Sequence, residues 1–208
     1  MNLVKINNKQ IQSSKVVCVG RNYVDHIKEL NNETPTEPVI FMKPNSAISD
    51  KISLDGNDEI HYEGEISFMV NNGTLNAVGF GLDLTKREIQ SKLKAKGLPW
   101  ERAKSFDGSA IFSDFVSIDG QINDLKLELW INGELQQSGG VNLMLYKPDA
   151  ILAEINTFST PEDGDIIMTG TPKGVGVVHE NDVFIGKIFN NKTLLVEKTW
   201  VVQKLISL

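Results

Sequence analysis

Apolar residues recur at every second position along two stretches of the chain. Within residues 59–70, Ile60, Tyr62, Ile66, Phe68 and Val70 share one face with Gly64, the pattern of a half-buried strand. The opposite face carries Glu59, His61, Glu63, Glu65 and Ser67. Within residues 77–84, Val78, Phe80, Leu82 and Leu84 form an apolar face, and Ala77, Gly79, Gly81 and Asp83 form the other. So little side-chain bulk on that second face lets another layer approach the strand closely.

The rest of the chain reads as short elements separated by turns. Residues 3–6 and Ile11 flank Asn7-Asn8 as a small hairpin, and residues 15–19 form an apolar strand ending at Gly20. Asn22 is placed to cap a short helix over 23–30, stopped by Asn31-Asn32-Glu33-Thr34-Pro35. Residues 39–42 form a strand closed by Lys43-Pro44. Thr85-Lys86-Arg87-Glu88 fits a capping box, with Thr85 as N-cap and Glu88 reaching back, opening a helix over 86–96 that Gly97 and Pro99 end. Asn132-Gly133 is the strongest two-residue hairpin signal, between strands at 127–131 and 134–136. A helix over 149–158 packs through Ile151, Leu152 and Ile155, and strands at 166–169, 183–188 and 193–202 complete a β-rich second half with a turn at Asn190-Asn191. The sum is one β-rich α+β domain with a few short helices, without repeat, low-complexity tract or linker.

A chain of 208 residues suffices for one such domain with its own core. Its 21 basic and 27 acidic residues leave a formal charge of −6, with no basic run or stripe, which argues against nucleic acid or an anionic membrane as partner. The single cysteine, Cys18, lies in an apolar run and reads as a buried strand residue that cannot form an internal disulfide. No Cys/His pattern has zinc spacing. The first residues lack the apolar core of a signal peptide and no stretch approaches the length of a membrane span, so the expected location is cytosolic.

Against that background Glu63, Glu65 and Asp83 stand out. Residues i and i+2 of a strand lie roughly 6.5–7 Å apart and point the same way. Two carboxylates so placed repel each other unless water screens them or a hard cation is coordinated. Alone, the Glu63/Glu65 face is also what a solvated outer strand looks like. Asp83, flanked by Leu82 and Leu84 near a strand end, is expected to sit partly out of water, where a carboxylate needs a partner or a metal. As an alternative it merely favours the N-terminus of the following helix. Together the three acids favour an oxygen-ligated Mg²⁺ or Mn²⁺.

A second group lies near the N-terminus. His26 and Glu29, three apart in the short helix, share a face, a spacing that suits a general base oriented by a carboxylate; an exposed His-Glu neighbour pair has the same spacing. Arg21 stands at the strand-to-helix turn just before them. Residues 169–176, Thr-Gly-Thr-Pro-Lys-Gly-Val-Gly, do not form a phosphate loop: Lys173 precedes Gly174, Pro172 removes a backbone donor and no helix follows. The turn can still offer backbone N–H groups to a small anion. Lys104 follows the helix, in aromatic surroundings expected from Trp100 and Phe106.

Seven segments in order then become familiar: Gly20-Arg21-Asn22-Tyr23 with His26 and Glu29; Phe41-Met42-Lys43-Pro44; Glu63-x-Glu65; Asp83; Gly97-Leu98-Pro99-Trp100; Ala103-Lys104-Ser105-Phe106; and residues 169–176. Together they resemble the fumarylacetoacetate hydrolase family, in particular its small, single-domain acylpyruvase-like branch, over roughly residues 15–200. The resemblance implies a mixed β-roll or sandwich of the family's C-terminal-domain type, one catalytic domain over 1–208, and a homodimer. It implies Mg²⁺ or Mn²⁺ on Glu63, Glu65 and Asp83, a water-activating dyad of His26 and Glu29, and Lys104 stabilising negative charge. Arg21, Gln90 and Thr171 would contact the oxo-acid end of a small 2-oxo acid, and the segment bearing the dyad would act as a lid.

Within that resemblance the first expectation is a metal-dependent hydrolase cleaving the C3–C4 bond of acylpyruvate-type 2,4-dioxo acids to pyruvate and a carboxylic acid. Oxaloacetate decarboxylation or keto–enol tautomerisation is the alternative, since the same pyruvate enolate or a simple proton shuttle is involved. Ring opening or isomerisation of aromatic-catabolism intermediates is a further enzymatic option, and a catalytically idle metal-binding scaffold the alternative of another class. Two departures from the family pattern are visible: Gly64 between the two acids, expected to loosen strand pairing, and residues 141–146, which put substrate contacts from that region in doubt.

Overall fold

The computed structural model describes residues 1–30, 33–56, 58–120 and 122–204. Its main elements in chain order are β1 (Lys15–Gly20), α1 (Val24–Glu29), β2 (Val39–Pro44), β3 (Gly64–Asn71), β4 (Thr74–Asp83), α2 (Arg87–Ala95) and α3 (Glu101–Lys104). There follow β5 (Ala110–Phe112), β6 (Leu125–Ile131), β7 (Glu134–Gly140), α4 (Pro148–Ile155), β8 (Ile166–Met168), β9 (Val183–Asn190) and β10 (Thr193–Val201). Two sheets carry the fold. The larger runs β2-β1-β8-β3-β4-β5 with Ile48–Ser49 at its edge; β1 and β8 are parallel and their other neighbours antiparallel, so the sheet is mixed. The smaller is the antiparallel β7-β6-β9-β10.

The larger sheet is buried on both faces, which is why residues 16–19 are apolar throughout rather than alternating. Val17, Val19, Phe68 and Phe80 belong to one cluster with Leu127, Leu129, Phe184 and Trp200 of the smaller sheet. Phe80 stacks tilted on Trp200 at 6.1 Å, and Tyr62 meets Phe184 edge-on at 5.5 Å. The sheets approach so closely at Gly186 that a Cβ there would overlap the Phe80 ring. On the far face, Val16, Cys18, Met69, Phe112, Phe115 and Met168 form a second cluster, and Cys18 is fully buried as expected.

Turns read from sequence are present. Asn7 and Asn8 both adopt positive φ between Leu3–Ile6 and Lys9–Gln12, as do Asn132 and Gly133 between β6 and β7, the mirror-image geometry that two-residue hairpins need. Two cap assignments are corrected. Thr85 does not cap α2: Thr85–Lys86 pairs with Ile60–Tyr62 as a short strand, Lys86 occupies the cap without a side-chain bond, and Glu88 pairs with Lys92 on the surface. Asn22 does not cap α1 either, because its amide is drawn into the interior, donating to the carbonyls of Tyr146 and Thr169. The helix stop at Asn31 and Asn32 lies outside the described residues. Among the described residues no helix is long and apolar enough to cross a membrane.

Candidate metal centre and active site

The strand carrying the two glutamates breaks at Glu63, between Ile60–Tyr62 and β3, so Glu63 leaves the ladder and turns inward. Gly64 restarts the pairing opposite Leu82 and donates its N–H to Gln137 Oε1 at 2.8 Å. The expected loosening is not found: Gln137 and Phe80 occupy the space a Cβ at Gly64 would need, so the glycine is what lets the layers close. Glu65 stands opposite Gly81 and Asp83 ends β4. The Asp83 N–H donates to the Glu63 carbonyl at 2.8 Å, joining the two strand ends at the acids. His61 instead pairs with the exposed Glu59, away from this group.

All three acids are buried, and each offers an oxygen within 4.8 Å of the others. Their electrostatic situations differ. Glu63 faces Arg87 at 2.5 Å and Lys104 at 2.8 Å. Burial alone would raise its pKa, but Lys104 and Arg87 hold it well below the usual carboxylate range. Asp83 Oδ2 accepts from Lys104 Nζ at 2.7 Å, while Oδ1 lies 2.7 Å from Lys43 Nζ without a directed hydrogen bond. Among the described residues Glu65 has no ion-pair partner. Its Oε2 accepts the Gly170 N–H at 2.7 Å, and burial with Asp83 and Glu63 nearby pushes its pKa well up. A buried, all-oxygen set with one uncompensated carboxylate and one undirected oxygen fits a hard divalent cation. Mg²⁺ or Mn²⁺ would be held by Glu63, Glu65 and Asp83.

Lys104 is buried on α3, with its ammonium within 2.6–2.8 Å of Thr85 Oγ1, Asp83 and Glu63. Burial would lower its pKa, but the two carboxylates outweigh it and keep Lys104 protonated. Its aromatic neighbour is Phe41, at 5.2 Å; Trp100 and Phe106 instead receive Lys94 and Lys86. Of these two aromatics Trp100 lines the cavity that Lys104 lines and Phe106 does not; α3 is a single turn that points Lys104 inward.

His26 and Glu29 come together as expected, with Nδ1 3.1 Å from Glu29 Oε2 and His26 buried. Glu29 is fixed in turn by the Gly174 N–H at 2.9 Å. Two amides of the glycine-rich turn, those of Gly170 and Gly174, thus go to the site's own carboxylates, Glu65 and Glu29. His26, Glu63, Glu65 and Lys104 line one small cavity, together with Arg21, Gln90 and Thr171. Arg21 sits at positive φ with Nε buried and, among the described residues, without a hydrogen-bond partner; Gln90 accepts from Arg87; Thr171 bonds Gly64 and Gln137. Residues 141–146 do not line it. Lys43, Arg87 and Lys94 went unread. Lys43 lies in an exposed-looking alternation with Met42 and Pro44, and its tertiary partners, Asp83 and the carbonyls of Leu84, Lys104 and Ser109, explain its burial. The i, i+3, i+7 spacing of Arg87, Gln90 and Lys94 on α2 is the signal that could have found the other two.

Residues 15–198 match the model of the fumarylacetoacetate (FAA) hydrolase C-terminal domain. The chain is 37% identical over 206 residues to the human protein named oxaloacetate tautomerase FAHD1, mitochondrial, covering 91% of each. It is 37% identical over 187 residues to oxaloacetate tautomerase YcgM of Escherichia coli, covering 81% of this chain and 85% of that one. The crystal structure of a fumarylacetoacetate isomerase/hydrolase candidate from Oleispira antarctica superposes with a TM-score of 0.90 at 35% identity, covering 97% of this chain and all of that one. The curled, strand-rich architecture is that of the family's C-terminal-domain type. This chain is a single-domain member of the fumarylacetoacetate hydrolase family.

Proposed function

We propose that the chain is a divalent-metal-dependent enzyme of 2-oxo acids whose reaction is the interconversion of enol and keto oxaloacetate. The observation that carries this reading is the lining of one cavity by His26, Glu63 and Glu65 together, so that a proton carrier and the candidate metal site address the same molecule. When bound, the ion supplies Lewis acidity at the oxo-acid end of the substrate. Enol becomes keto when the C2 hydroxyl loses a proton and C3 gains one; no carbon bond breaks and no water is consumed. His26, held at Nδ1 by Glu29, has Nε2 left to carry that proton. Lys104, kept protonated by its carboxylates, offers fixed positive charge against a developing enolate and no base. The relatives named for oxaloacetate tautomerisation support this choice over the hydrolase expected first.

Acylpyruvate hydrolysis is the second reading, favoured by the same His26–Glu29 geometry, which also suits the activation of water. The cavity measures about 30 Å³, far below the ~300 Å³ at which ordinary ligand pockets begin. A four-carbon acid therefore needs the cavity to widen, and the α1 segment, the lid that the family resemblance implies, is the part we expect to move. Mg²⁺-loaded protein is tested with enol-rich oxaloacetate and with acetylpyruvate, following enol absorbance and pyruvate release. Accelerated loss of the oxaloacetate enol without pyruvate release supports the tautomerase. Acetylpyruvate cleavage without that acceleration replaces it by the hydrolase, pyruvate release from oxaloacetate replaces it by the decarboxylase, and no acceleration of any kind leaves an idle scaffold.

A further inference from the structure

The cations around the cavity are not equally engaged. Arg87 and Lys104 are paired with Glu63, and Lys104 also with Asp83. Arg21 and Lys94 line the same cavity, and among the described residues neither has a carboxylate partner or a hydrogen bond from its charged group. Lys94 follows Gln90 by four residues, on the α2 face turned to the cavity, and its ammonium lies over the Trp100 ring at 4.9 Å. That ring shelters the cation without neutralising it. Burial first, and Arg21 and Arg87 after it, bring Lys94 down to about 8; an incoming anion would offset the two neighbouring cations.

An oxo acid held through an ion on Glu63, Glu65 and Asp83 would present one carboxylate there. Two unpaired cations remain, one more than a substrate with a neutral tail requires. We propose that Lys94 binds the second carboxylate of a dicarboxylic 2-oxo acid, with Arg21 beside it, and so selects such acids over neutral-tailed 2,4-dioxo acids. This rests on the reading of the cavity as a 2-oxo acid pocket and names the class of acid it takes.

The test uses Mg²⁺-loaded protein and calorimetric binding of malate and lactate, unreactive hydroxy acids that differ by the second carboxylate. Wild-type protein is expected to bind malate at least tenfold more tightly than lactate. Lys94→Met is expected to lose that tenfold for malate and to leave lactate unchanged, with Lys94→Arg restoring most of it. In turnover, Lys94→Met raises KM for oxaloacetate with little change in kcat. Equal weakening of both ligands, an unchanged malate affinity in Lys94→Met, or a wild type that does not distinguish the two overturns the assignment. Because the ligands do not react, the role of Lys94 is decided even in a protein without tautomerase activity.

Discussion

Glu63 and Asp83 are joined twice, once through the Asp83 N–H donating to the Glu63 carbonyl at 2.8 Å and once through Lys104, whose ammonium bridges their side chains at 2.8 and 2.7 Å. The backbone link sets the strand ends beside each other, and the lysine places one positive charge between the two carboxylates. Glu65 enters from β3 without an ion-pair partner among the described residues, and that asymmetry is what the proposed ion would answer.

His26→Ala is expected to reduce the oxaloacetate tautomerisation rate by at least 10²-fold, the usual worth of a positioned proton carrier. Mg²⁺ affinity stays within about twofold, because His26 is not among the acids. Full turnover by this variant contradicts the role given to the dyad.

Lys43 is buried against Asp83 and three carbonyls, so Lys43→Met strands both a charge and several acceptors. A loss on the order of 3 kcal/mol in denaturant unfolding is expected. A variant as stable as wild type shows that Lys104 alone suffices to hold Asp83.

Gly186→Ala forces a methyl into the Phe80 ring between the two sheets. The expected cost is roughly 1–3 kcal/mol, read as a fall in melting temperature with the metal site unchanged. Tolerance without loss places the sheets farther apart than described.

Asp165, outside the site, ties β1 to β8 through Lys15 at 2.6 Å and the N–H groups of Ser14, Lys15 and Glu162. Burial would raise its pKa, but the bond from Lys15 and the backbone donors outweigh it and hold it below the usual value. Its folded-state pKa being the lower one, its contribution is complete above the unfolded value and disappears as pH falls through the folded one. Asp165→Asn should therefore be destabilised near neutrality and approach wild type in acid; a pH-independent gap in urea midpoints argues against this link.

What could be read without coordinates follows from where the information is local. The alternation of residues 59–70 and 77–84 located β3 and β4 and put Glu65 and Asp83 where they stand, because a strand's two faces are dictated by period alone. Capping failed at Thr85 and Asn22 because both polar groups found buried tertiary partners, Lys104 for one and Tyr146 and Thr169 for the other. Lys43 was illegible for the same reason: its partners are Asp83 and carbonyls up to 66 residues distant, which no spacing rule encodes. Gly64 read as a weakness and is instead a requirement, since Gln137 arrives from the second sheet.

The proposed chemistry depends on one ion seated among three oxygens. Mn²⁺ titration of the purified protein, counted by electron paramagnetic resonance, should show one tight site per chain that Mg²⁺ displaces, and that Glu65→Gln and Asp83→Asn each weaken by at least 10²-fold. Wild-type protein with no such site, or variants that keep it undiminished, would mean that Glu63, Glu65 and Asp83 are a buried ion-pair network and nothing more.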